Sequence, residues 1–177
     1  MATVADIASL MQRIAPERLA ESWDNVGLQF GDGSWEVRQI LVALEPSVNA
    51  VEAACSSGND MLITHHPLIF SPLKRIDTAS PAGRIIYLAA RHRLAIFAAH
   101  TNLDSAAGGV NDVLVDRLGL QDTSVLKPDE TGEGLGRIGS IGQPMLLPEL
   151  AEAVKHRIGA KSARYTGPTD LWVKQAA

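Results

Sequence analysis

The sequence predicts an α/β fold in which helices flank a largely parallel sheet in three layers. Three apolar runs, ILVAL at 40–44, MLIT at 61–64 and LAIFAA at 94–99, have the pattern of buried strands covered on both faces. Each run is followed by a segment with helical spacing. Such a strand–helix repetition is typical of parallel sheets with right-handed crossovers.

The N-terminal segment adds one helix and one strand to this sheet. Thr3 is a candidate cap, Pro16 ends the helix, and the apolar positions between them follow helical spacing: Val4, Ile7, Leu10, Met11 and Ile14. VGLQF at 26–30 alternates as a short strand does, and the GDG after it is a turn.

Helix boundaries between the three buried runs follow capping and glycine signals. Ser47 opens a helix that Gly58 closes. Ser80 and Pro81 form the cap-then-proline pattern of a helix that reaches about His92. After the third run, two glycines precede the helix VNDVLVDRL, which Gly119 stops.

The remainder of the chain is less regular. From about 121 to 145 it is polar and rich in glycine, Pro148 then begins a helix, and strands are possible at 162–166 and 170–174. We therefore expect a first α/β domain over residues 1–120 that carries the candidate site. Residues 121–177 would then begin a second α/β half that is incomplete.

Composition narrows the class of protein. The net charge is −4, and the 16 basic residues are scattered without a basic stripe, so nucleic acid is an unlikely partner. The single cysteine, Cys55, excludes an intrachain disulfide framework. No signal peptide and no membrane-spanning run is visible, so we expect a cytoplasmic protein without membrane contact.

Polar side chains come after all three buried runs. Glu45 follows the first, His65 and His66 the second, and the third is followed by His100, Asn102 and Asp104. Ligands of parallel sheets collect beyond the carboxyl ends of the strands, so these groups should meet at one edge. Pro67 favours an extended or turning backbone at His66, which lets both imidazoles turn toward one cavity.

Each motif alone also has an ordinary structural explanation. A histidine pair at a strand end is more often a surface or core feature, and HTNLD alone could be a turn. Together, the motifs indicate a site for Zn, Fe, Mn or Co, which accept imidazole and carboxylate ligands. Adjacent histidines more naturally bind two neighbouring ions, and a two-metal site can activate water at neutral pH.

Three other motifs indicate function less strongly. GLGRIG at 134–139 matches the dinucleotide pattern but does not follow a strand and open a helix, so turns and a close-packed strand explain it better. Gly108 and Gly109 could present amides to a phosphate or serve only as a flexible helix entry. Lys74 and Arg75 could meet an anion, although exposed loop cations are common.

Four stretches in order resemble a known family: WDNVGLQFGD, ITHHPLIF, AAHTNLDSAAGGVNDVLVDRLGL and GLGRIG. The set is similar to the GTP cyclohydrolase I type 2 family, also called the NGG-one-interacting-factor-three-like family, over about residues 1–170. The resemblance implies two divalent metal ions with ligands at His65, His66 and Asp104. It places His100 at or beside the metals, implies ring-shaped homohexamers, and leaves the role of Asp24 and Asn25 unassigned.

The resemblance also carries a departure. Family members continue to a Gly-His segment followed by Glu, which completes the metal pair, and this chain has no counterpart after residue 170. We therefore expect a C-terminally truncated or frame-shifted member that binds metal weakly and exposes apolar surface.

The function expected from these features is that of a metal-dependent hydrolase. By resemblance it is a GTP cyclohydrolase that opens the guanine ring, releases formate and gives dihydroneopterin triphosphate, with His100 moving the proton. The alternatives are a hydrolase of another nucleotide or phosphoester, and a non-catalytic metal-binding or protein-interaction module.

Overall fold

The computed structural model describes all 177 residues. They form two compact units, Met1–Leu103 and Asp104–Ala177. No helix is both long and apolar enough to cross a membrane. The predicted assignment of domains to residues 1–120 and 121–177 stays a prediction.

The first unit contains a four-stranded mixed sheet. Its strands are β1 (Gly27–Phe30), β2 (Ile40–Ala43), β3 (Met61–Thr64) and β4 (Ala95–Ala98), in the spatial order β1-β4-β3-β2. Strands β2, β3 and β4 are parallel, as predicted, whereas β1 pairs antiparallel with β4. The α/β prediction is therefore confirmed, and the sheet has one reversed edge strand.

The helices of this unit begin where the sequence signals place them. They are α1 (Val4–Ile14), α2 (Val48–Ser56) and α3 (Pro81–His92), with a short 3₁₀ helix over Glu17–Leu19 after α1. Thr3 and Asp6 form a capping box on α1, which satisfies amides that the first turn leaves unpaired. The hydroxyls of Ser47 and Ser80 each accept from one backbone amide in the first turn of α2 and α3.

Two buried clusters make the first unit three-layered, as predicted. On one face of the sheet, Leu62 and Ile96 pack with residues of α2 and α3. On the other face, Met61, Ala95 and Phe97 pack beneath Val4 of α1. Side chains alternate along β3 and β4, so both faces of these central strands are covered.

The prediction that the first apolar run is covered on both faces is wrong. Strand β2 lies at the sheet edge, where only Leu41 and Ala43 pack against the helix-side cluster. On its other face Ile40, Val42 and Leu44 are exposed, Val42 by 74%. Helix α1 packs on the central strands, and this end of the sheet therefore keeps one bare apolar face.

The second unit contains an antiparallel sheet in the order β5-β6-β7. Its elements are α5 (Val110–Leu118), β5 (Gln121–Pro128), β6 (Gly134–Leu146), α6 (Leu147–Arg157) and β7 (Trp172–Ala176), and the short α4 (Thr101–Ser105) precedes them. The polar segment 121–145 is thus largely two strands, and the strand expected at 162–166 is absent.

The glycine-rich GLGRIG motif lies inside β6 and not at a strand-to-helix turn. Gly136 has a φ of +74°, and a Cβ there would lie 3.1 Å from the Leu126 side chain on β5. Glycine is therefore required here by backbone conformation and by close strand packing.

A partly buried ion pair joins α5 to β6. The Arg137 guanidinium donates from Nε to Asp112 Oδ1 at 2.5 Å and from Nη2 to Oδ2 at 3.2 Å. Its Nη1 also donates to the carbonyls of Gly134 and Gly136, both at 2.9 Å. The bonds from Arg137 to the Asp112 carboxylate lower the pKa of Asp112, and the Gly108 amide and the positive charge of Arg137 add to this effect. Together they outweigh burial, which by itself would raise that pKa.

Candidate metal centre

The two adjacent histidines turn their rings to the same side of the chain. Strand β3 ends at Thr64, although the His65 and His66 amides still donate to the Ala43 and Leu44 carbonyls, at 3.3 and 2.9 Å. Beyond the strand the alternation of side chains relaxes, and the two ring centroids lie 5.2 Å apart. Both imidazoles therefore face one region.

His100, which comes after β4, completes a group of three imidazoles. Its ring centroid lies 5.0 Å from that of His65 and 5.7 Å from that of His66. One nitrogen of each ring lies within 4.8 Å of the others, a spacing that could hold a metal ion. The parallel pairing of β3 with β4 produces this meeting, because both histidine segments leave the same sheet edge.

The hydrogen bond of His65 fixes which ring nitrogen carries the proton. Its Nδ1 lies 3.0 Å from the carbonyl oxygen of Ala99. A carbonyl oxygen can only accept, so Nδ1 carries the proton in the neutral ring and Nε2 keeps its lone pair. This is the tautomer of a histidine that binds metal through Nε2.

His100 is oriented in the same way by a carboxylate. Its Nδ1 lies 2.9 Å from Oδ1 of Asp24, whose side chain is fully buried. Three further donors surround that carboxylate: the Thr101 amide at 3.1 Å, the Thr101 hydroxyl and the Asn25 amide at 2.8 Å. A carboxylate behind a histidine is a common way of fixing a metal-binding imidazole.

The environment of Asp24 keeps it ionised. Burial alone would raise the pKa of this carboxyl group, but the hydrogen bonds from His100, Thr101 and Asn25 outweigh burial and lower it. The ionised carboxylate can only accept, so it requires the proton on Nδ1 of a neutral His100. In that neutral ring the lone pair is on Nε2.

The reversed strand β1 explains how Asp24 reaches the site. Gly27 at the start of β1 pairs with Ala98 at the end of β4. The loop that precedes β1 therefore lies beside the residues that come after β4. The sequence pattern places a site only after strand ends, so it gives Asp24 and Asn25 no role. The WDN stretch is the one sequence signal that points to them.

The other predicted site residues have different surroundings. Asn102 is buried; its Oδ1 accepts from the His100 amide and its Nδ2 donates to the Ala15 carbonyl, so it anchors the loop. Glu45 is exposed, with Oε2 4.0 Å from Nδ1 of His66. Asp104 begins the second unit, and its backbone carbonyl accepts from the Asn111 side chain.

An open cleft lies on the His66 side of the cluster. Its volume is about 310 Å³, and it is lined by the segment before α2, the segment that begins at His66 and the start of α3: Glu45, Pro46, Ser47, His66, Pro67, Leu68, Ala82 and Ile85. The cleft gives a small molecule room to approach one of the three imidazoles.

The fold and this edge define an α/β protein with a three-histidine cluster beyond parallel strands. The family model Duf34/NIF3 (NGG1p interacting factor 3) matches residues 2–177, and the chain belongs to this family. It is 34% identical over 174 residues to a "GTP cyclohydrolase 1 type 2 homolog" of Clostridium perfringens and covers 66% of that protein. The Bacillus subtilis protein of the same name is 41% identical over 125 residues, which cover 71% of this chain and 34% of that protein.

Solved structures have the same fold. A Staphylococcus aureus hypothetical protein superposes with a TM-score of 0.91 at 28% identity, over 98% of this chain and 70% of that one. A Bacillus cereus protein related to NIF3 gives 0.90 at 28% identity, over 98% and 75%. The chain therefore spans about two thirds or less of the length of its curated relatives and somewhat more of these two structures.

Proposed function

We propose that the chain is a divalent-metal-dependent hydrolase whose metal centre is built on His65, His66 and Asp104, with His100 beside them. The observation that carries the proposal is the convergence of three imidazoles whose nitrogens lie within 4.8 Å of one another. Two of the three rings are held in the tautomer that carries its proton on Nδ1 and its lone pair on Nε2. This donor set suits two ions of Zn, Fe, Mn or Co.

His100 has two roles compatible with its surroundings. It can serve as a third imidazole ligand, or it can pass a proton to or from the substrate. In both roles Nε2 would be the atom that binds the ion or carries the proton, because Nδ1 is hydrogen-bonded to Asp24. The variant His100→Ala separates them: a ligand role predicts loss of metal, and a proton-transfer role predicts retained metal with lost turnover.

The chemistry at this site would be hydrolytic. A bound divalent ion supplies Lewis-acid activation of water and stabilises charge that develops on a substrate. The chain's own contribution is to fix the imidazoles through Ala99 and Asp24, and to admit substrate through the cleft beside His66. In this proposal His100 would exchange a proton at Nε2 with the reacting group.

We propose GTP as the substrate because several relatives carry the name "GTP cyclohydrolase 1 type 2 homolog". The reaction would add water at C8 of guanine, release that carbon as formate and yield dihydroneopterin triphosphate. The test is incubation with GTP and each metal, followed by assays for formate and a fluorescent pterin. A fully metallated protein that forms neither product would exclude GTP as the substrate. A panel of nucleotides and phosphoesters would then test whether the protein hydrolyses another compound.

We further propose that the chain forms a homo-oligomer, a hexamer by family resemblance, and that it acts in the cytoplasm. Membership of the Duf34/NIF3 family supports the assembly. The mass measured by multi-angle light scattering tests it, and a monomer at micromolar concentration would reject it.

A further inference from the structure

Two exposed aromatic rings stand beside the imidazole cluster. Trp23 and Phe70 are 57% and 56% exposed. Their ring centroids lie 5.9 Å apart, and the indole of Trp23 lies 6.3 Å from the imidazole of His100, nearly perpendicular to it at 77°. Single exposed apolar residues are common on protein surfaces. A pair of aromatic rings next to a candidate metal centre needs a more specific explanation.

A network of side-chain amides holds the two segments that carry these rings. Asn25 donates from Nδ2 to the Ile69 carbonyl at 2.5 Å, and Gln29 accepts from the Ile69 amide at 3.2 Å. The two amide groups also bond to each other, because Asn25 Nδ2 donates to Gln29 Oε1 at 3.3 Å. Gln29 in turn donates to the Asn25 carbonyl at 3.0 Å. The loop before β1 and the segment after His66 are thereby tied together.

This network orders the backbone next to both aromatic residues. Trp23 precedes Asp24, whose carboxylate is fixed by the bonds described above, and Phe70 follows Ile69 directly. Ordering a binding group before its ligand arrives reduces the entropy lost on binding. The stretch WDNVGLQF thus supplies an aromatic ring, the carboxylate behind His100, and two amides that brace the neighbouring segment.

We propose that Trp23, supported by Phe70, is a stacking platform for the flat heteroaromatic ring of a nucleoside substrate, and that it presents this ring to the histidine cluster. This inference rests on the proposed function and assigns a specificity-determining residue to it. The tilt of 58° between the two rings leaves no parallel slot between them, so the ligand ring stacks on the open face of the indole. Stacking on an aromatic side chain suits any nucleobase, because every base has a π-face.

The test measures ring binding and metal content in the same samples. Guanosine and inorganic tripolyphosphate are titrated into the metal-loaded chain, and bound metal is measured by plasma mass spectrometry. Trp23→Ala is expected to weaken guanosine binding by about tenfold or more, while Trp23→Phe stays within about threefold. Tripolyphosphate binding and metal content are expected to remain as in the unaltered chain.

Trp172→Ala is the matched control, because Trp172 is 61% exposed and lies in the second unit. Equal guanosine affinity in the Trp23→Ala and Trp172→Ala variants would overturn the platform, as would an unaltered chain that binds no nucleoside. A fall in oligomer mass in Trp23→Ala without a change in guanosine affinity would instead show that Trp23 and Phe70 form a contact between subunits. A chain that retains no metal but still binds guanosine through Trp23 would contradict the proposed function and leave the platform standing.

Discussion

The imidazole Nδ1 of His100 and the buried Oδ1 of Asp24 lie 2.9 Å apart, across 76 residues of sequence. We expect Asp24→Asn to lower the affinity for a divalent ion by about 10- to 100-fold, as loss of a carboxylate behind a metal-binding histidine does. The asparagine amide would present donors where Asp24 now accepts from Thr101, so the ring of His100 would lose its fixed orientation. Competition titration with a chromophoric zinc chelator measures this affinity.

The control for this variant is Asp60→Asn. Asp60 is also a hydrogen-bonded carboxylate of the first unit, but it accepts from the Arg38 and Gln39 amides. An equal loss of affinity in both variants would show that general destabilisation is the cause. The nitrogen chemical shifts of the His100 ring give a second reading that a purely structural change would not reproduce.

Removal of an imidazole of the cluster should weaken metal binding more than Asp24→Asn does. Loss of Asp24, which lies behind a histidine, is expected to weaken metal binding by at least about tenfold. We expect His65→Ala and His66→Ala each to reduce the metal retained after dialysis by more than that. His92→Ala is the control, because His92 is an exposed residue at the end of α3. Full retention of metal in both cluster variants would contradict the proposed centre.

The ion pair between Asp112 and Arg137 should make the second unit sensitive to acid. The pKa of Asp112 is lowered in the fold, so this group stabilises the folded state above its unfolded pKa. That stability is lost as the pH falls below about 5 and through the lowered folded pKa. We expect Asp112→Asn to reduce the free energy of unfolding by about 1.5–3 kcal/mol near neutral pH, since its bonds are to a charged guanidinium.

Thermal unfolding followed by circular dichroism between neutral and acid pH tests this expectation. The difference between the unaltered chain and Asp112→Asn should shrink on acidification. Asp116→Asn, an exposed position on the same helix, is the control and should unfold like the unaltered chain at every pH. A difference that stays constant with pH would exclude Asp112 as the titrating group.

The bare face of β2 should promote aggregation. Ile40, Val42 and Leu44 form an apolar row on an edge strand, and lysine is a common protection of such edges. We expect Val42→Lys to delay heat-induced light scattering with little change in the melting temperature. Tyr87→Lys is the control, because Tyr87 is half-exposed on α3. Equal scattering in the unaltered chain and Val42→Lys would show that this face does not initiate aggregation.

The sequence predicted the central elements of the first unit well because local signals determine them. Caps at Thr3, Ser47 and Ser80 fix the helix starts, and β3 and β4 are continuous apolar runs because helices cover both of their faces. The same pattern on β2 predicted the wrong burial, because residue order does not reveal which strand lies at the edge. Strand order depends on pairing between distant segments.

The second unit was harder to predict for a related reason. Strand β5 is exposed along nearly all its length, so QDTSVLKP has no alternation to detect. Glycines with positive φ interrupt β6, and local propensity alone would place turns there.

Of the site, the sequence predicted the meeting of His65, His66 and His100 at one sheet edge, because the carboxyl ends of neighbouring parallel strands lie side by side. It could not assign Asp24. That residue precedes a strand, and its arrival depends on the antiparallel direction of β1, which the sequence pattern does not encode. The proposed ligand role of Asp104 stays a prediction.

Because β1 is attached antiparallel to β4, local opening of β1 also affects the imidazole of His100, which is distant in sequence. This strand hydrogen-bonds to a single neighbour, whereas β3 and β4 each pair with two, so it should open at lower free energy than they do, as peripheral segments do. Each opening would move the loop that carries Asp24 away from His100 and break the bond between the carboxylate and Nδ1. The proton of the imidazole could then move to either ring nitrogen. Hydrogen exchange at those amides of β1 that pair with β4 would then report how often His100 can change its tautomer.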